Sequence, residues 1–382
     1  MATAGSRAGR ASGRMFRICL WAASLALLVS GGARAQQFND AHFHLTNYIQ
    51  EGTDLPALLA LMGNTVGRST LFGIPLQQQW SYRITGDHAP GYYLDSDAKL
   101  YYYSFTDAFI ATSYLALPPQ QRARFDPMIT GFNPTDMYAA DHIRRVLQTF
   151  PGVFSGIGEF TIHKEFVSSK IAGDVASLND PALDRILDFA GQVGLVAIVH
   201  NDIATPFFDP AALVSNPSAL EYTPGANAAT PLNFTQMKEL LRRHPQTTII
   251  WAHIGLGRII QPLTNHAALV EGILKDSAFA HVYFDLSWDE VAKYAAASPE
   301  SAQRVADALN RYPERFLFGT DVVAPRDTTK YFRTYRLYEP VWQALRPEVK
   351  ALVCLGNYER LFNAARRRVR DWERNNAIHA TH

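Results

Sequence analysis

Two histidines one residue apart, His42 and His44 in the pentapeptide DAHFH (40–44), carry the first chemical signal in this 382-residue chain. On a β-strand, residues i and i+2 point to the same side, so the two imidazoles face together while Phe43 faces away. Such a pair serves either as two ligands of one metal ion or as polar cover on a solvated strand. What else the chain brings to the same place decides between these. Glu159, His200, His253 and Asp321 each stand at the end of a short apolar run. Together with the first pair they form a set of nitrogen and oxygen donors that suits a borderline metal such as zinc.

For these groups to meet, the runs that carry them must be strands of one sheet. Candidate strands fall at 39–44, 65–72, 125–132, 154–160, 194–200, 247–253, 282–288 and 316–321. Between them lie stretches with apolar residues at helical spacing, such as PALDRILDFAGQV (181–193) and FTQMKELLRRHP (234–245). Several strands are near-continuous apolar runs, as expected where both faces are covered. Eight strand–helix units predict an α/β fold, a (β/α)8 TIM barrel, rather than an open sheet. No G-x-G-x-x-G turn follows the first strand to favour a doubly wound dinucleotide-binding fold. In such a barrel chemistry collects at the C-terminal strand ends, where all six groups fall.

Two connections are long. Residues 73–124, after strand 2, hold ten aromatic residues among them Trp80, Tyr92, Tyr93, Tyr101, Tyr102 and Tyr103; residues 203–233, after strand 5, are rich in Pro, Ala and Asn. Both are expected to be insertions at the catalytic mouth, most of the tyrosines packing a small core and a few lining a pocket.

The ordered set His-x-His, Glu, His, His and Asp at strands 1, 4, 5, 6 and 8 resembles the amidohydrolase superfamily. Within it, DAHFH, GIGEF, AHIGLGR, FGTD and LGNYERLF (355–362) resemble the amidohydrolase-related (family 2) branch over roughly 39–365. The resemblance implies that His42, His44, His200 and Asp321 hold a divalent metal, most readily zinc, as one or two ions. It also implies that Asp321 takes the proton of the attacking water, and that His253 hydrogen-bonds the polarised carbonyl oxygen or binds a second metal. One departure stands out. Many binuclear members carry a carboxylated lysine at strand 4, where this chain has Glu159, which either bridges two ions or serves beside one. Arg258 stands where a guanidinium can fork onto a substrate carboxylate, or can instead fix its loop. Trp288, Asn201 and Asp202 follow strand ends and are pocket candidates, as is His163 with Lys164. His88, His142, His244, His266 and His281 read as surface or structural groups, and Asn357 as the cap of the last barrel helix.

The ends of the chain bound the setting. The first 35 residues hold five arginines and no acidic residue, and an eleven-residue apolar run (19–29) leads to an A-x-A pattern at Ala33 and Ala35. That is the layout of a secretory signal cleaved after Ala35, with a single-span anchor the alternative; the apolar run is too short to cross a bilayer. Losing five arginines turns a formal charge of +1 into −4, which excludes a broad basic surface for nucleic acid. Cys354 is then the lone cysteine, so residues 36–382 rely on a core rather than disulfides, as one periplasmic or secreted domain. A small-molecule substrate is expected, with no membrane partner after cleavage, and a homo-oligomer is compatible with the sequence. Three classes of function follow: a metal-dependent hydrolase of an amide, lactone or ester; a metal-dependent non-oxidative decarboxylase of an aromatic or unsaturated acid; and a non-catalytic binding protein. Release of carbon dioxide separates the second from the first.

Overall fold

Each strand run is short, β-branched or apolar, and bounded by a capped helix, and this alternation sets the architecture. The structure, a computed structural model, describes residues 36–47, 51–74, 79–80, 94–95, 105–163, 177–204, 231–257 and 265–376. These belong to one unit, Gln36–His382. Residues 1–35, read above as a secretory signal, lie outside the described residues.

Among the described residues, eight parallel strands of one barrel alternate with helices. The strands are β1 (in two segments, Phe38–Asp40 and Phe43–Thr46), β2 (Val66–Gly73), β3 (Phe125–Ile129), β4 (Gly156–His163), β5 (Val196–Asn201), β6 (Ile249–Trp251), β7 (Val282–Leu286) and β8 (in two segments, Phe316–Phe318 and Val322–Val323). Neighbours in sequence pair in order from β1 to β8. Val322 and Val323 then pair with Phe43 and His44, and Ala41 N–H donates to Phe318 O at 3.0 Å, which closes the ring. The (β/α)8 barrel expected from the sequence is therefore the fold, with strand positions that agree to within a few residues.

The helices following each strand are α1 (Leu55–Met62), α2 (Thr106–Ala116), α3 (Ala139–Thr149), α4 (Pro181–Val193), α5 (Leu232–Arg243), α6 (His266–Lys275), α7 (Pro299–Arg311) and α8 (Asn357–Asn375). Local chemistry starts and stops them. The Asp54, Asp180 and Ser298 side chains accept backbone N–H bonds at the starts of α1, α4 and α7, each followed by a proline in the first turn. Gly194 ends α4 in the left-handed region at φ 90°.

Alternation along the strands sorts two cores. Val196 and Ile198, with Ala41, Phe72, Met128, Ile250 and Leu317, fill the barrel, whose floor is Tyr358, Leu361, Phe362 and Ala365 of α8. Ala197 and Val199 point outward into the larger layer between strands and helices.

Two expectations change. The span 73–124 is not wholly an insertion: its last part is the barrel's own second helix, because residues 106–116 pack Ile110 and Ala111 into the outer core. Residues 79–80 and 94–95 form a short parallel ladder, and the other aromatic residues between 75 and 104 lie outside the described residues, as do 205–230 of the second long connection. Asn357 is not a cap. Helical backbone already runs through Pro347–Ala351 and the π-turn Leu352–Gly356, so position 357 lies mid-run. Its amide instead donates to Pro313 O and Phe316 O at 2.7 and 2.8 Å, which ties α8 to the start of β8.

The N-terminal strand ends carry a stability device. Asp126, fully buried, accepts from Arg68 Nη2 at 2.7 Å, Arg366 Nε at 2.5 Å and Tyr358 Oη at 2.7 Å. Removing the shared acceptor leaves two guanidinium groups and a buried hydroxyl unpaired, and breaking a buried pair costs about 3–5 kcal/mol. Because the two arginines are partly solvated, Asp126→Ala is expected at the low end, a loss of about 3 kcal/mol and roughly 5 °C in Tm. Thermal unfolding checks this, and metal content should be unchanged, since the opposite end of the barrel carries the site.

Candidate metal centre

The C-terminal ends of β1, β4, β5, β6 and β8 bring His42, His44, Glu159, His200, His253 and Asp321 together, all buried except the partly open Asp321. Glu159 is the centre. Its Oε2 lies 3.6 Å from His42 Nε2 and 3.4 Å from His44 Nε2; its Oε1 lies 2.6 Å from His200 Nδ1 and 3.2 Å from His253 Nε2. Asp321 Oδ1 faces His42 Nε2 at 3.4 Å and His44 Nε2 at 3.0 Å, and its Oδ2 faces His253 Nε2 at 4.0 Å.

These spacings fit a metal ion. Ligands about 2.1 Å from a tetrahedral ion stand roughly 3.4 Å from one another, and the four distances from His42 and His44 Nε2 to the Glu159 and Asp321 oxygens are 3.0–3.6 Å. His42 Nε2 is buried and has no hydrogen-bond partner among the described residues. Ligand atoms of His42, Glu159, His253 and Asp321 also fall within 4.8 Å of one another. This second grouping holds His253 where the sequence reading placed His200, which reaches the cluster through its hydrogen bond to Glu159.

Charge points the same way. Burial presses the His42 and His44 imidazoles toward neutrality, yet Asp285, Asp321 and Glu159 outweigh it and raise both above the usual histidine range. Burial lifts the Asp321 carboxyl, but His42, His44 and His253 hold it well below the ordinary range. His253 is lowered, chiefly by burial. The cluster draws positive charge, which a divalent ion supplies when bound.

Backbone features aim these groups. His253, Trp288 and Asp321 have φ of 57°, 74° and 53°, a left-handed region that costs non-glycine residues about 1–3 kcal/mol each. The turns thus swing side chains over the mouth at the ends of β6, β7 and β8. Gly319 allows β8 to pass close to β1: a Cβ there would meet His42 Cβ at 2.5 Å and its backbone N at 2.8 Å. Gly158 likewise leaves room for Phe72, whose ring lies 5.2 Å from that of His42 and 4.7 Å from that of His44.

A second layer was not read from the sequence. Asp285 Oδ2 accepts from His42 Nδ1 at 2.9 Å, and Ser287 Oγ lies 2.8 Å from His253 Nδ1. Asp40, whose carboxyl burial pushes up to about 6, accepts from Thr320 N, Thr320 Oγ1 and His42 N and so staples β1 to β8. Asp285 and Ser287 repeat the i, i+2 spacing of the two first histidines at a strand end, a signal that could have found them. Asp202, a weaker candidate, accepts from His200 Nε2 at 3.0 Å through its Oδ1.

The other candidates are placed as follows. Trp288 walls the site, its ring 5.0 Å from that of His253 and 6.5 Å from that of His200. His163 ends β4, which runs three residues past the end expected at 160, and pairs by backbone with Asn201; its side chain lies outside the description. Arg258 lies outside the described residues. His244 is structural, between Asp188 and Asp184, and His266 is buried with Nε2 against Ile254 O.

With fold and site in view, the comparisons agree. Residues 40–364 match the family described as Amidohydrolase, the amidohydrolase-related family 2. The chain belongs to that family. It is a metal-dependent enzyme on the amidohydrolase barrel, and its cofactor is a divalent metal. Solved structures that share the fold include the following three. A 2,6-dihydroxybenzoate decarboxylase from Rhizobium is 11% identical, with 86% of this chain and 99% of that chain covered and a TM-score of 0.51. An amidohydrolase from Burkholderia multivorans with bound zinc is 14% identical, with 85% and 99% covered and a TM-score of 0.51. A probable 2-pyrone-4,6-dicarboxylic acid hydrolase from Acinetobacter baumannii is 10% identical, with 86% and 100% covered and a TM-score of 0.50. No curated protein matches the chain.

Proposed function

We propose that this protein is an exported, zinc-dependent hydrolase acting on a neutral carbonyl centre, an ester, lactone or amide, of a small molecule. The observation that carries this is the acidity of the site. Glu159, Asp202, Asp285 and Asp321 surround four imidazoles, so with one divalent ion bound and the imidazoles neutral the four carboxylates outnumber its two positive charges. A substrate carboxylate, which decarboxylation requires, meets an unfavourable field there, whereas an uncharged carbonyl does not. Zinc is favoured by the nitrogen and oxygen donor set, and a fold relative holds it.

His42, His44, Glu159 and Asp321 would hold the ion, and His200 and His253 border the second oxygen of Glu159 should two ions bind. A bound ion supplies Lewis acidity, polarising a carbonyl and making water a nucleophile near neutral pH. Asp321, at the mouth, accepts the proton of the attacking water and returns it to the leaving group. Trp288 shields one side of the site from water. Export rests on the arginines, apolar run and A-x-A pattern of residues 1–35, and sequencing the mature N-terminus at Gln36 checks it.

The function test is a panel of aryl esters, lactones and anilides beside aromatic and unsaturated acids, with zinc-loaded protein followed by pH-stat and carbon dioxide detection. The expected result is proton release from a member of the first group without carbon dioxide. Carbon dioxide release from an acid, with no hydrolysis, assigns the decarboxylase reading instead.

A further inference from the structure

We infer that Asp285 and Ser287, at the end of β7, are positioning residues that lock His42 and His253 in the same tautomer, with Nδ1 protonated and Nε2 turned as a lone pair into the site. This rests on the metal reading above and extends it to a residue pair outside the ligand set.

The argument follows the protons. Asp285 and Ser287 are fully buried, so each polar atom must find its partner within the protein. One carboxylate oxygen, Oδ2, lies 2.9 Å from His42 Nδ1. The other, Oδ1, accepts the backbone N–H of His253 at 2.8 Å and is hydrogen-bonded to Ser287 Oγ. An ionised carboxylate only accepts, so the single hydroxyl proton of Ser287 goes to Asp285. Ser287 Oγ, 2.8 Å from His253 Nδ1, is then left to accept, and Nδ1 of His253 must carry the hydrogen. The same carboxylate requires the hydrogen of His42 on Nδ1. In each neutral ring Nε2 is therefore the lone pair.

Two consequences follow. The Nε2 atoms face carboxylate oxygens of Glu159 and Asp321 at 3.2–4.0 Å, His253 Nε2 lying within hydrogen-bond reach of Glu159 Oε1. Each contact needs a cation, either a second proton on the ring in the absence of metal or a metal ion once one binds to the Nε2 lone pairs. Of the two roles the sequence leaves open for His253, a hydrogen bond to the carbonyl oxygen or ligation of a second metal, an unprotonated Nε2 favours ligation. The bond from His253 N–H to Asp285 further holds its left-handed backbone at φ 57°, so one carboxylate fixes both the ring and the turn that carries it. Outer partners of this kind typically matter by about 10–100-fold in metal affinity.

The test needs no substrate. Long-range proton–nitrogen spectra of the full chain, labelled at histidine nitrogen and loaded with zinc, should show His42 and His253 protonated at Nδ1. A proton at Nε2 of either ring overturns the inference. Binding of Co²⁺ alone, followed by its visible absorption, gives an independent reading. Ser287→Ala should weaken Co²⁺ binding about 10–100-fold and alter the absorption, and Ser287→Thr, which keeps the hydroxyl, should restore both. Parent-like affinity and spectrum in Ser287→Ala sink the inference while the metal reading stands. A parent chain that binds neither Co²⁺ nor zinc sinks both. If Ser287→Ala does not fold, the nitrogen spectra of the parent decide alone.

Discussion

Asp321→Asn is expected to lower kcat by about 10²- to 10⁴-fold while leaving a substantial share of the metal bound. The reason lies in where this carboxylate sits. Its side chain is 13% exposed, against 0% for His42, 5% for His44, 7% for Glu159 and 1% for His253. It is thus the cluster member nearest an incoming molecule. Oδ1 turns inward, 3.0 Å from His44 Nε2, and Oδ2 turns toward His253. Asparagine keeps the shape and one oxygen for the ion, but its amide cannot accept a proton. A role confined to ligation predicts loss of metal and activity together; a role in proton transfer predicts loss of turnover with metal retained. Metal analysis beside kinetics on the purified variant separates these, and near-normal kcat in Asp321→Asn would remove the proton-transfer role.

Much of this site is legible in the sequence because its chemistry falls at the ends of runs that are themselves legible. His200 follows AIV and His253 follows IIWA, so an eye for parallel strands finds the residues that project at their ends. The barrel makes the remaining inference: once eight strands close, their C-terminal ends share one mouth. For Glu159 the sequence leaves two roles open, bridging two ions or serving beside one, since its central place depends on its two oxygens facing different pairs of histidines. That is a matter of cross-strand register, which one sequence does not display.

What was missed shares a different physical cause. The i, i+2 spacing of Asp285 and Ser287 marks them as a pair, but they act through bonds to residues 243 and 34 positions away in the chain, and which residues they hold is not displayed by spacing. The left-handed turns at His253, Trp288 and Asp321 contradict the local preference of those residue types and persist only because the surroundings hold them. Asn357 failed in the opposite sense. Its local signal for a helix start was genuine, but packing of the last helix against β8 had already begun the helix earlier and turned the amide to Pro313 and Phe316.

His42→Ala should abolish activity and reduce bound metal to a small fraction of stoichiometric, the second large effect expected here. His42 is the member most committed to the site: fully buried, its Nδ1 bound to Asp285 and its Nε2 without a hydrogen-bond partner among the described residues, facing Asp321 and Glu159. Truncation removes a nitrogen ligand and also leaves Asp285 without its principal partner, so Tm should fall as well. That mixture of effects makes Gly319→Ala the sharper companion. It alters no ligand, yet its added methyl would lie 2.5 Å from His42 Cβ and 2.8 Å from His42 N, backbone as well as side chain, so β1 must shift where His42 is attached. Ligand geometry tolerates displacements of only about 0.5 Å, and metal affinity in Gly319→Ala should therefore drop at least about 10-fold although every donor is still present. Equilibrium dialysis against zinc, with thermal unfolding as the control for folding, measures both variants. Full metal occupancy in His42→Ala would mean that the paired histidines of DAHFH are not ligands; parent-like affinity in Gly319→Ala would mean that the site is held less rigidly than the close passage of β8 against His42 implies.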